Sequence, residues 1–222
     1  MNSSATARVN ILSNLRKSSV APDITSQNYP VMICKHRSQQ EKVEQLKRKM
    51  EAVHSEVILC SENSWGRIFR SVVKEKNIDK ILYGTNTDLG QKLRKMYQHT
   101  PEKKPKLVDY QKPIEDSKDM LFDIDAAITT TRGGIAETGS LILWPTSEEP
   151  RLMSLIPPIH IAVLYADTIY NTFLEALTTE KWNSGMPSNV LLISGPSKTA
   201  DIEQTLVYGV HGCKELVVLL SQ

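Results

Sequence analysis

Two polar segments in the C-terminal half carry side chains that do chemistry at close spacing. The first is Thr131-Arg132-Gly133-Gly134-Ile135-Ala136-Glu137-Thr138-Gly139-Ser140, set between two apolar runs. Arg132 has the planar fork that grips a carboxylate or phosphate in two parallel hydrogen bonds. Gly133, Gly134 and Gly139 admit positive-φ backbone and leave amides uncovered, and Thr138 adds a hydroxyl. Glu137, held between two turns, has the chemistry of a general base or a carboxylate nucleophile. The second segment is Ile193-Ser194-Gly195-Pro196-Ser197-Lys198-Thr199-Ala200-Asp201-Ile202-Glu203. It reads as a strand, a turn and the start of a short helix over 199–205. Free amides at a helix N-terminus bind anions, the hydroxyls of Ser194, Ser197 and Thr199 add donors, Gly195 opens the turn, and Lys198 is a point charge. Each segment also has a plainer reading. The first is then a long hairpin connection with a solvated Glu137, and the second an ordinary helix whose Asp201 and Glu203 already satisfy its dipole. Neither G-x-x-x-x-G-K-[ST] nor G-x-G-x-x-G occurs.

Ligands of open α/β sheets sit beyond the carboxyl ends of the strands, so the elements decide whether these bends can serve one site. Val9, Leu12 and Leu15 recur every three residues and predict a leading helix, followed by a polar linker over 18–30. Val43, Leu46, Met50 and Val53 predict a helix within 36–55. Strands are expected at 56–60, 80–83, 107–110, 125–130, 140–144, 159–165, 190–194 and 215–220. Helices are expected after Ser64, from Thr87 to about His99, and over 167–178. Strands alternating with helices require crossover connections, hence a largely parallel sheet with helices on both faces. The expected organisation is an N-terminal helical arm and linker over 1–30 and one α/β domain over 31–222.

The chain has 222 residues, 40% of them apolar and 23% charged, within globular norms. Its net charge of +2 does not describe a polyanion binder, and the basic stretches 42–49 and 102–106 have interleaved acids and little aromatic content. No nucleic-acid partner is expected. Three cysteines without a C-x-x-C exclude a disulfide framework, a zinc ribbon and a self-contained iron–sulfur cluster. Residues 1–22 lack acids and contain Arg8, Arg16 and Lys17, the composition of an organellar leader, yet their spacing is that of a helix. A reduced cytoplasmic protein without membrane insertion is the expectation, and no cofactor is specified.

Other constellations are weaker. His160 lies in an apolar strand pattern and reads as a core histidine, whereas His211, in Gly209-Val210-His211-Gly212, sits in a turn whose ring could face a crevice. Cys34-x-His36 and His211-x-Cys213 have metal-ligand residue types, but such pairs arise by chance and no metal is expected. Asp123-x-Asp125 reads as a solvated strand entry.

Four ordered motifs together resemble the LUD-domain family, and within it the lactate-utilization members. They are Ile135-Ala136-Glu137-Thr138-Gly139-Ser140, Leu155-Ile156-Pro157-Pro158-Ile159-His160, the 193–203 segment, and Gly209-Val210-His211-Gly212. The chain departs from the family at Cys213, where a proline is common. The resemblance implies a fold similar to the sugar-phosphate isomerase and CoA-transferase-like superfamily. It also implies a part in oxidising L-lactate to pyruvate beside two partner proteins that carry iron–sulfur clusters. A chain without clustered cysteines would be the cluster-free component, binding a small anionic metabolite. Glu137 and His211 are then the expected reactive groups, and Arg132 with the 194–199 bend the expected anion holders. A freestanding transferase or isomerase on an acyl-CoA or sugar phosphate, and a scaffold for the iron–sulfur partners, remain alternatives, and a homo-oligomer stays open.

Overall fold

Apolar residues at steps of three and four build the helices. In α2 (Gln39–Glu51) these are Val43, Leu46 and Met50, and the helix opens on a capping box. There Ser38 and Glu41 satisfy each other's backbone amides. In α3 (Trp65–Glu75) they are Trp65, Phe69, Val72 and Val73, and in α4 (Asp88–Gln98) Leu89, Leu93 and Tyr97. The structure is a computed structural model that describes residues 3–18, 36–98, 104–110, 118–200 and 206–222. The leading helix α1 (Ser3–Ser18) belongs to a unit spanning Met1–Cys34, and the other elements to a unit spanning Lys35–Gln222. Most of the linker, Cys34, and Asp201 through Thr205 lie outside the described residues.

Six short apolar strands form a wholly parallel sheet. They are β1 (Glu56–Cys60), β2 (Lys80–Tyr83), β3 (Lys106–Asp109), β4 (Ala126–Thr130), β7 (Ile159–Tyr165) and β12 (Glu215–Ser221), in the order β1-β12-β7-β4-β2-β3. Alternation decides which residue faces which layer. Ile81, Tyr83, Ile128, Ile161, Val163, Val217 and Leu219 pack under α3 and α4. On the other face Leu164, Val218 and Leu220 meet α2, while Leu82 and Ala127 meet Leu121 of the short helix α5 (Lys118–Phe122). Helices therefore cover both faces, as the alternation requires.

A second, four-stranded sheet lies over the α2 side. It has the order β8-β5-β6-β9, from β5 (Gly133–Ile135), β6 (Ser140–Leu143), β8 (Ile169–Tyr170) and β9 (Leu191–Ile193). β5 and β6 form an antiparallel hairpin, β8 runs parallel to β5, and β9 runs antiparallel to β6. Its outer residues Ile135, Ile142 and Tyr170 are covered by Ala176 of α6 (Phe173–Thr179) and by Trp182.

Three expectations change. The expected 167–178 helix is a 3-10 turn, then β8, and only then α6, because the ladder with β5 claims Ile169 and Tyr170. Thr199 does not begin a helix. It lies in β10 (Lys198–Ala200), which pairs antiparallel with β11 (Leu206–Tyr208). Ser64 stands at the start of α3 without a side-chain cap, its hydroxyl instead accepting from the Ser61 amide at 2.8 Å.

Candidate functional site

The four strands of the second sheet all deliver a polar residue to one end. β8 runs out into Asn171, β5 into Glu137 and β9 into Ser194, while β6, running the other way, begins at Ser140. The ladder continues past the strands, with the Ala136 amide donating to the Tyr170 carbonyl at 2.8 Å and the Glu137 amide to that of Asn171 at 3.0 Å. Gly139 then turns the chain with φ +67°, a conformation side chains resist, and its amide donates to the Ile135 carbonyl at 2.9 Å. A Cβ at Gly139 would stand 2.5 Å from Lys49 Cβ, so the hairpin tip presses against α2.

At this tip the two bends meet. Ser140 Oγ lies 2.8 Å from Ser194 Oγ and donates to Thr138 Oγ1 at 2.8 Å. With that proton committed, Ser194 is the donor to Ser140, and the exposed Thr138 hydroxyl keeps its own hydrogen for a ligand. Ser55 Oγ donates to the Ser194 carbonyl at 3.5 Å, and Gly195 packs on Val53, so the turn between α2 and β1 backs the bend. On the opposite flank Glu175 accepts from the Asn171 amide at 2.6 Å and lies 3.8 Å from Lys42 Nζ. The half-buried Glu137 carboxylate has no hydrogen bond or ion pair among the described residues. The result is an outward hydroxyl donor next to an uncommitted carboxylate, a pair that can donate a hydrogen bond to a ligand oxygen and accept a proton from a neutral ligand group.

The remaining expected residues are distributed differently. Arg132 is at the far end of the hairpin, its guanidinium ion-paired with Glu180 and set 5.4 Å over the Trp144 ring. It does not reach the Ser194 bend. Gly133 and Gly134 are buried strand residues without positive φ, not an open anion cradle. Their missing Cβ atoms make room for the Thr168 carbonyl and for Leu46. Lys198 and Thr199 belong to β10, and without a helix start their amides have no dipole to offer. Ser197 is bound into the turn that carries His211: its amide donates to the Cys213 carbonyl at 2.9 Å, and its carbonyl accepts from Gly209 at 3.0 Å. His211 is exposed beside it.

Two buried polar groups had no sequence signal. Asn171 is 7% exposed, and its Oδ1 has no partner among the described residues. Glu149 sits at the carboxyl ends of β2 and β4, where Oε2 accepts from the Thr130 amide at 3.0 Å and hydroxyl at 2.6 Å. Its Oε1 is buried without a partner among the described residues, beside a cavity of about 10 Å³ that Thr129, Ser154 and Trp144 help to line, the size of a single water. Burial raises the Glu149 carboxyl above the usual carboxylate range, against the lowering effect of Thr130. No periodicity distinguishes such residues from solvated neighbours.

His160 is fully buried, with Nε2 2.9 Å from Thr129 Oγ1, and burial lowers it to about 4. Asp125 accepts from the Asp79 and Lys80 amides, and Asp123 pairs with Lys80, which makes both structural. Among the described residues no group of three or more His, Cys, Asp or Glu is placed to hold a metal, and no helix is long and apolar enough to cross a membrane.

The LUD domain family model matches residues 43–221, and the chain belongs to that family. It is 36% identical to uncharacterized protein NMB1437 of Neisseria meningitidis, covering 96% of this chain and 92% of that one. It is 30% identical to lactate utilization protein C 1 of Bacillus mycoides, covering 79% of this chain and 76% of that one. The crystal structure of a DUF162 family protein from Deinococcus radiodurans superposes with a TM-score of 0.60 at 20% identity, over 84% of this chain and all of that chain, and shares the fold.

Proposed function

We propose that this protein acts in lactate utilization, as the cluster-free cytoplasmic component working beside iron–sulfur proteins that oxidise L-lactate to pyruvate. In this reading residues 31–222 are the working domain and residues 1–30 an accessory arm. The tip of the β5–β6 hairpin binds a small anionic metabolite. Thr138 donates to its anionic group, Ser140 and Ser194 hold Thr138 in that orientation, and Glu137 is the group that accepts or returns a proton. The observation that carries the reading is the 2.8 Å hydroxyl contact joining the two bends beside an uncommitted Glu137, in a chain similar to lactate utilization protein C. Three cysteines without close spacing favour the cluster-free role.

The test pairs a thermal-shift series with growth. L-lactate or pyruvate at about 100 times its dissociation constant should stabilise the protein by about 2.7 kcal/mol. Glu137→Gln should abolish growth on L-lactate in a strain that depends on this gene while leaving the unliganded melting temperature unchanged. Normal growth with Glu137→Gln, or no stabilisation by either acid, removes this reading of the site.

A further inference from the structure

Helix α2 runs along the polar rim of the second sheet and meets its strands in their spatial order, β8-β5-β6-β9. Near its start, Lys42 Nζ is 3.8 Å from Glu175, the residue that accepts from the Asn171 amide beyond β8. Further on, Lys49 abuts Gly139 between β5 and β6, where an added Cβ would stand 2.5 Å from Lys49 Cβ. Just past the helix, Val53 packs on Gly195 beyond β9, where an added Cβ would stand 2.9 Å from Val53 Cγ2. Lys42 and Lys49 are two helical turns apart and share one stripe of α2.

The two lysines differ in their partners. Lys42 is committed to Glu175, whereas Lys49 is exposed and has no hydrogen bond or ion pair among the described residues. Side chains on a helix lean toward its N-terminus, so the flexible stem of Lys49 leans from Gly139 toward the end of β5, where Glu137 stands. Glu137 is equally uncommitted. An anion placed beside Glu137 alone is repelled by it, and Arg132 is held by Glu180 at the far end of the hairpin. The counter-charge has to come from α2.

Resting on the reading of the hairpin tip as the binding site, we infer that Lys49 is its charge-reading residue. Lys49 and Glu137 together then select a carboxylate with a hydrogen-bond donor on the adjacent carbon, as in a 2-hydroxy acid. The ligand carboxylate lies between Lys49 Nζ and the Thr138 hydroxyl, and the ligand hydroxyl donates to Glu137. A 2-oxo acid of the same size fails at the second contact, because its keto oxygen turns lone pairs toward a carboxylate and has no hydrogen to give. A plain alkanoate has no oxygen to place there.

The test measures Kd for L-lactate, pyruvate and propanoate on the full chain by isothermal titration calorimetry. L-lactate should bind at least about tenfold more tightly than either of the others. Lys49→Glu should raise the L-lactate Kd about tenfold, and Lys49→Arg should leave it within about twofold. Both variants keep the Cβ that packs on Gly139, so their melting temperatures should match the parent. Parent-like L-lactate Kd in Lys49→Glu, or pyruvate bound as tightly as L-lactate, overturns this inference, while a loss of binding in Glu137→Gln would still keep the hairpin tip as the site. Binding of none of the three acids overturns both.

Discussion

The hydroxyls of Ser140 and Ser194 lie 2.8 Å apart and join the first residue of β6 to the residue following β9. Chain segments more than fifty residues apart are thereby fastened at the point where the candidate site forms. Ser140 is buried and has two hydroxyl partners, Thr138 and Ser194, whereas Ser194 is exposed. Ser140→Ala should therefore cost more, about 1–2 kcal/mol, and Ser194→Ala about 1 kcal/mol or less. Urea denaturation of the two single variants and the double should show a coupling of about 0.5–1 kcal/mol.

Gly139→Ala should be a strongly damaging single-methyl change in the hairpin. It places a side chain at φ +67° and a Cβ 2.5 Å from Lys49 Cβ on a packed helix. A loss of at least about 2 kcal/mol is expected. Amide exchange at the Gly139–Ile135 hydrogen bond should accelerate more than exchange in β7.

His160 predicts an acid-side weakness. Its folded-state value, about 4, is below the ordinary 6.5, so the unfolded chain takes up the proton more readily. The stability linked to a neutral His160 is complete above pH 6.5 and lost as pH falls toward 4, by roughly 3 kcal/mol. In His160→Gln, unfolding free energy measured by urea between these pH values should fall less steeply than in the parent.

Glu149 works in the opposite direction. Its carboxyl is raised by burial, so stability falls as pH rises through its folded-state value. Glu149→Gln keeps an oxygen for Thr130 and removes the buried charge. Thermal melts should find the variant at least as stable as the parent at neutral pH, and a clear loss there would contradict the buried unpartnered oxygen.

Arg132→Ala separates the hairpin's two ends. Its side chain is 47% exposed, so loss of the Glu180 pair should cost no more than about 1 kcal/mol. Ligand affinity at the hairpin tip should be unchanged. A loss of affinity as large as that of Glu137→Gln would return Arg132 to the site.

The main sheet was legible because its strands are short apolar runs and its helices repeat Val43–Leu46–Met50 and Trp65–Phe69–Val72 on one face. The second sheet was not. Gly133-Gly134-Ile135 has no strand signature, and it becomes a strand only because Ile169 and Leu141 flank it. Ile169 and Tyr170 fit a helix pattern with Phe173 and were taken by the ladder instead. Glu137, Ser140 and Ser194 were recognisable as polar residues at strand ends. That Arg132 turns to Glu180, and that Thr199 enters a strand, are tertiary outcomes that residue type alone does not specify.

β12 lies between β1 and β7, so β1 joins the main sheet only through residues 215–221, which are made about 155 residues after β1. During synthesis β1 must wait with both edges bare until that late segment arrives, which favours chaperone capture or sticking to other nascent chains. Substitutions in β12 should thus reveal themselves first in yield from the ribosome, before any defect in the purified protein.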